Sequence, residues 1–166
     1  MSQSSSVVCP VPLEQRPLNE YEELRESWFF SWATLDIPTF VKRLAVVWLV
    51  GWSVSAPVAA YSFSPSRATL QFLLFAAAGA SLPLGLVLLR LYLGWNYIRS
   101  RLLNATIPYE ESGWYDGQYW TKPTEELTKD RLVFTYQVQP LLRRLERTFM
   151  VLGVLLVLGV LAWSLT

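Results

Sequence analysis

The sequence predicts an all-α membrane protein: three transmembrane helices, an N-terminal interfacial helix, and a small aromatic hairpin or loop on the cytoplasmic or stromal face. Three observations predict it. Apolar residues make up 52% of the chain and charged ones 16%, where a soluble domain carries about 25% charge. Three stretches, residues 44–61, 70–89 and 149–165, approach the roughly 20 apolar residues that cross a bilayer. The Lys and Arg residues fall almost entirely on one side of those stretches.

The chain divides into an arm (1–36), two spans of which the second is extended (37–106), an aromatic-acidic turn or hairpin (107–123), and a helix that leads into the third span (124–166). The start, MSQSSSVV, has neither a basic n-region nor a long apolar core and reads as a mature terminus. Pro10, Pro12 and Pro17 keep the arm extended. Asn19 is then expected to cap a short helix whose face carries Tyr21, Leu24, Trp28 and Trp32, widened by Phe29 and Phe30, with Glu22, Glu23 and Glu26 mostly opposite. This pattern fits a helix in the membrane plane with Trp rings at headgroup depth. It is acidic where a lipid-seeking helix is basic, so aromatic burial or a protein surface must hold it.

Asp36 and Pro38 read as cap and first turn of the first spanning helix. Pro57 and Pro83 lie inside spans, where neighbouring helices can satisfy a freed carbonyl. Small residues at 76–81, Gly153 and Gly159 suit close helix packing. Ser64 and Pro65 are expected to start the second helix and Ile107-Pro108 to end it. Asp116-Gly117 is a strong turn pair between Trp114-Tyr115 and Gln118-Tyr119-Trp120. Pro123 and Thr124 open the last helix with Glu125 and Glu126 at its positive end, and Pro140 is expected to bend it.

Lys42 and Arg43 precede the first span, and Arg99, Arg101, Lys122, Lys129, Arg131, Arg143, Arg144 and Arg147 lie in the connector before the third. The positive-inside rule puts the N-terminus and connector in the cytoplasm or stroma and the C-terminus opposite.

Chemistry is constrained by what is missing. A net charge of +1 offers no field for nucleic acid. The absence of histidine removes the commonest general base and metal ligand. Cys9, the single cysteine, cannot form an internal disulfide. The connector acids Glu110, Glu111, Asp116, Glu125, Glu126 and Asp130 have no EF-hand spacing and read as a solvated, turn-forming face. No nucleophile has a base beside it, so neither an enzyme nor a bound metal or cofactor is expected.

The stretches CPVPLEQRPLNEYEELRESWFFSW, YEESGWYDGQYWTKP and DRLVFTYQVQPLLRRLERT resemble a cyanobacterial and plastid membrane-protein family. It is known as a hypothetical chloroplast reading frame, or as conserved in the green lineage and diatoms, and its domain is one of unknown function. The resemblance covers nearly the whole chain. It implies an oxygenic phototroph, a thylakoid or plastid membrane, and a link to photosynthetic membrane composition under iron limitation. It carries over no catalytic residue.

The resulting expectation is a non-catalytic accessory protein held in lipid. It would dock on a photosynthetic or pigment-synthesis membrane complex through Trp28, Phe29, Trp32, Trp114, Tyr115, Asp116, Gly117, Tyr119 and Trp120. The alternatives are a tetrapyrrole or carotenoid binder, a haem sensor using Cys9-Pro10, and a membrane enzyme built on Glu110 or Asp116.

Overall fold

A computed structural model describes residues 9–110 and 117–165. Three helices in it are long and apolar enough to cross a membrane: α2 (Ile37–Ser62), α3 (Thr69–Leu103) and a continuous helical run Thr124–Ser164. That run comprises α4 (Thr124–Val133), a π-helical turn Phe134–Val138, and α5 (Gln139–Ser164). Ahead of them lie α1 (Pro17–Glu26) and a 3-10 helix, Phe30–Thr34. Two short strands, β1 (Thr106–Tyr109) and β2 (Gln118–Thr121), pair antiparallel with Ile107 opposite Trp120.

Local chemistry accounts for most boundaries. Pro17 occupies the first turn of α1, where its missing N–H costs nothing. Asn19 therefore lies inside the helix instead of capping it, and its side chain donates to the Leu13 carbonyl at 2.7 Å. At α2 the cap is as the sequence reads: the Asp36 carboxylate accepts from the Thr39 N–H at 3.2 Å, with Pro38 in the first turn. The second helix begins at Thr69, after a turn at Ser64–Arg67, and stops at Leu103. Before Pro140, a proline ring would strike the carbonyl four residues back, and the wider π turn makes room for it.

The amphipathic helix read through Trp32 is broken. Ser27 turns extended after α1, and the chain restarts as the 3-10 helix. Long-range contacts from α3 impose the break. Phe30 packs over Gly94, where an added Cβ would sit 2.3 Å from its ring, and the Trp95 indole N–H donates to the Phe30 carbonyl at 3.2 Å. A continued α-helix could not bring ring and carbonyl to α3 together.

Within the spans the contact between α2 and α3 is made of small residues. A Cβ on Gly51 would lie 2.9 Å from the Ala80 carbonyl and one on Gly79 2.9 Å from the Ser55 side chain. The Ser55 hydroxyl donates across to the Ala76 carbonyl at 2.8 Å. Lipid supplies no hydrophobic drive for helix pairing, so close backbone approach and interhelical hydrogen bonds hold these two together. The cluster at 76–81 is thus helix packing at Ala76, Gly79 and Ala80, whereas Gly153 faces open space. Outside the spans α3 continues for several turns, and the main core gathers on its stripe Leu88, Leu91, Trp95, Ile98 and Leu102 with Tyr21, Phe40, Val138 and Leu145.

Replacing Gly51 with leucine would drive a side chain into the Ala80 backbone. The expected cost is about 1–3 kcal/mol of overpacking, read as a lower unfolding temperature in detergent. An unchanged transition would show that α2 and α3 do not meet there. Gly153→Leu, facing open space, is the matched control.

Candidate docking site: an ion-paired cap on the helix ends

The end of α3 carries a buried arginine. Arg101 lies on the same stripe as Ile98 and Leu102 and is 7% exposed. A guanidinium removed from water needs its donors matched, and three segments supply acceptors. Arg101 Nε donates to Glu20 Oε2 at 2.8 Å and Nη2 to Glu20 Oε1 at 3.1 Å, a fork-to-carboxylate pair. Nη2 also reaches the Gln15 carbonyl at 2.7 Å, and Nη1 the Pro108 carbonyl at 2.8 Å. Tyr97, one turn earlier, donates to Glu20 Oε1 at 3.3 Å.

A second pair sits beside the first. Lys122, just after β2, inserts its ammonium between the Arg101 carbonyl, at 2.7 Å, and the Asp130 carboxylate of α4, at 2.5 Å. Both side chains are almost fully enclosed. Lys122 thereby caps the last carbonyls of α3, where a cation is favoured by the helix dipole. Its backbone N–H donates to the Ala105 carbonyl at 2.8 Å. The hairpin is further tied to the arm by Gln15, whose side chain exchanges two 2.9 Å hydrogen bonds with the Glu110 backbone. A small apolar cluster of Val11, Ile107, Tyr109 and Trp120, with Cys9 against it, closes the cap.

Nearer the spans, the segment after α1 lies across the ends of the three long helices, and each contributes an arginine to it. Arg43 of α2 stacks 5.3 Å from the Trp32 ring centre, and Arg90 of α3 lies 5.1 Å from that of Phe30. Arg144 of α5 donates to the Ala33 and Leu35 carbonyls. Trp28, Phe29 and Trp32 touch one another edge-on or tilted, with centroids 5.4–6.4 Å apart.

The residues read from sequence as one docking surface are distributed over two places. Trp28, Phe29 and Trp32 form the aromatic belt over the helix ends; Trp28 is 76% exposed. Gly117, Tyr119 and Trp120 belong to the hairpin, about 10 Å farther along α3 by helical rise from Gly94 to Arg101. Tyr119 is 75% exposed, but Trp120 is buried against Ile107 and Val11 and offers no open ring. Trp114, Tyr115 and Asp116 lie outside the described residues. The strands are also set wider than a two-residue Asp116-Gly117 turn implies: the partner of residues 118–121 is 106–109. Sequence reasoning missed Glu20, Arg101, Lys122, Asp130 and Gly94. One signal was available, an arginine standing on the apolar stripe of α3. Among the described residues no three His, Cys, Asp or Glu side chains come together as metal ligands.

A match over residues 9–151 connects these features to the CGLD27-like family, conserved in the green lineage and diatoms. The chain belongs to this family. Its relatives include the chloroplastic protein conserved in the green lineage and diatoms 27 of Arabidopsis thaliana, 51% identical over 89% of this chain and 45% of the relative. The chain thus spans about half the length of that relative. The uncharacterized protein ycf36 of Pyropia yezoensis is 43% identical over 89% of this chain and 90% of its own length, and that of Cyanophora paradoxa 43% over 91% and 94%. No solved structure matches. The CGLD27-like match starts at residue 9, at the edge of the cap cluster, and therefore takes in both buried ion pairs.

Replacing Arg101 with methionine leaves the half-buried Glu20 without a counter-ion, and the expected loss is up to about 3 kcal/mol. Adding Glu20→Met should recover much of it, because an apolar pair needs no partner. A double variant as unstable as the single one would show that the carbonyl contacts dominate instead. The Asp36 cap gives a pH prediction. Its hydrogen bonds to Thr39 lower the carboxyl below the ordinary 3.8. The cap therefore contributes fully above that value and is lost as pH falls through the lowered one. Unfolding of Asp36→Asn, followed against pH, should lack that acid-side decline.

Proposed function

We propose that this CGLD27-like chain is a non-catalytic accessory protein of the photosynthetic membrane, placed in the thylakoid, whose cap is a docking head for a larger membrane complex. The observation that carries the reading is how the cap uses its charges. Its buried ionisable groups, Glu20 with Arg101 and Lys122 with Asp130, neutralise each other and hydrogen-bond to backbone carbonyls. Groups committed in this way hold shape; a catalytic acid or base needs a proton or lone pair free for substrate. Among charged side chains such as Glu22, Glu23 and Glu126, the cap also exposes two aromatic rings, Trp28 at its membrane edge and Tyr119 on the hairpin. Rigid aromatic rings on a fixed frame give large contact area at small entropic cost.

The chloroplast location in the name of the Arabidopsis relative supports a plastid-type membrane. The basic residues flanking the spans support a cap in the stroma or cytoplasm, with the C-terminus across the membrane. The client is then a photosynthetic or pigment-synthesis complex, and the role its assembly, maintenance or adjustment under iron limitation.

A photo-cross-linking residue at Tyr119, in gently solubilised native membranes, should capture a discrete partner. Migration only as a free monomer, with no cross-linked species, would reject the reading. Trp28→Ala with Tyr119→Ala should reduce partner recovery while the protein accumulates normally. Trp120→Ala should instead lower accumulation, because emptying a buried ring site costs about 3 kcal/mol or more.

A further inference from the structure

Both α2 and α5 pack along α3, and a groove remains between them. Its apolar part holds about 640 Å³, within the range of sites that enclose small lipophilic ligands. Trp48 of α2, Leu74, Phe75 and Leu84 of α3, and Leu155 and Trp163 of α5 stand along it. Along α5 it runs from Leu152 to Trp163, about 16 Å by helical rise and so close to the hydrocarbon depth of one leaflet. Its one hydroxyl among the described residues, Ser81, donates to the Ala77 carbonyl of its own helix at 2.8 Å.

At the end nearest the cap the groove opens into a second space of about 630 Å³, with Val41 and Leu44 lining both. Here the lining changes character. Arg143, Arg144 and Arg147 border the space with Thr135, Gln139 and Thr148, and among the described residues no acidic side chain lines it. Arg144 is partly engaged by the Ala33 and Leu35 carbonyls. Arg143 and Arg147, one helical turn apart, make no ion pair or side-chain hydrogen bond among the described residues. Asp36, which accepts from the Thr39 N–H, interacts electrostatically with Arg144, and Glu146 is not among the residues that line the space.

We propose that this groove is a binding site for one anionic membrane lipid, with its phosphate on Arg143 and Arg147 and an acyl chain between α2 and α5. A slot without free polar groups suits a hydrocarbon chain. Two unpaired guanidinium groups at its mouth suit a phosphate, which Arg recognises through paired N–H donors. A carotenoid would use the slot but not the charges, bulk neutral lipid would use neither specifically, and a tetrapyrrole with carboxylate arms, which could use both, is told apart by its absorption. The inference does not depend on which side of the membrane the cap faces, nor on the docking role of the cap.

The test is native mass spectrometry of the purified full chain from nanodiscs of phosphatidylcholine containing phosphatidylglycerol as the minor component. One phosphatidylglycerol should be retained per chain. Arg143→Gln with Arg147→Gln should lower that retention about tenfold or more, and Arg143→Lys with Arg147→Lys should restore part of it. Gly159→Leu, whose side chain would enter the groove beside Leu74, should displace the lipid while the arginines are intact. Thermal unfolding of the lipid-free variants should match the parent, separating lost binding from lost folding. Equal retention of the two lipids, retention indifferent to the glutamine pair, or a pigment in place of the lipid would overturn the proposal.

Discussion

The cap at the end of α3 is organised around the burial of one guanidinium. Arg101 sits where α3 ends, and its donors must be met by protein because little water reaches them. Meeting them requires the arm at Gln15, α1 at Glu20 and the first strand at Pro108 to converge. The arm and the first strand have little apolar contact of their own to hold them there; the cluster under the hairpin is only a few side chains deep. A lysine could not substitute, since a single ammonium lacks the planar fork that engages both Glu20 oxygens while reaching two carbonyls. The carbonyl of Arg101 in turn receives Lys122, so the second pair is stacked on the first and fixes α4 through Asp130.

The spans are held by different physics. In lipid an apolar side chain gains little by touching another helix, and what remains is backbone proximity and polar contact. Gly51 with Ala80, Gly79 with Ser55, and the Ser55 hydrogen bond to Ala76 make α2 and α3 a tight pair. No such small-residue seam joins α5 to α2, and Gly153 faces nothing. The third helix is held at its polar end, where Leu142 and Leu145 enter the core and Arg144 binds the segment after α1, and at its far end, where the Trp163 ring meets Phe63 edge-on at 5.2 Å. The groove lies between these two contacts, where apolar side chains of α2 and α5 face each other across α3.

Much of this was legible in the sequence, for reasons that differ by element. The three spans show because no soluble element needs such long uninterrupted apolar runs. The Asp36 cap shows because cap and proline are adjacent, and the Pro140 irregularity because a ring without an N–H leaves few choices. The break at Ser27 was hidden. The apolar spacing continues smoothly from Tyr21 to Trp32, and only Gly94 and Trp95, more than sixty residues on, demand a different path. The hairpin pairing was hidden likewise. Asp116-Gly117 suggests a tight turn, but Thr106–Tyr109 wins the pairing because it follows α3 directly and brings Ile107 onto Trp120. The buried pairs were hardest to read. Glu20 and Asp130 resemble any solvated helix acid until their partners are known, and a partner 81 residues away is not a local signal.

Arg144 joins the two regions that carry the functional readings. Its guanidinium holds the Ala33 and Leu35 carbonyls, which fix the segment bearing Phe30 and Trp32, and it also borders the mouth of the groove. A guanidinium has five donors, so carbonyls and an anion can be served together. An anionic headgroup seated beside Arg143 and Arg147 would offset the charge crowded onto one face of α5, and would favour the arrangement in which Arg144 reaches the crossing segment. Loss of that headgroup leaves three cations together on one face of α5. The position of the aromatic belt, Trp28 included, is therefore linked to the groove through a single side chain. A change at the lipid-facing mouth can reach the docking face without passing through the ion pairs of the cap.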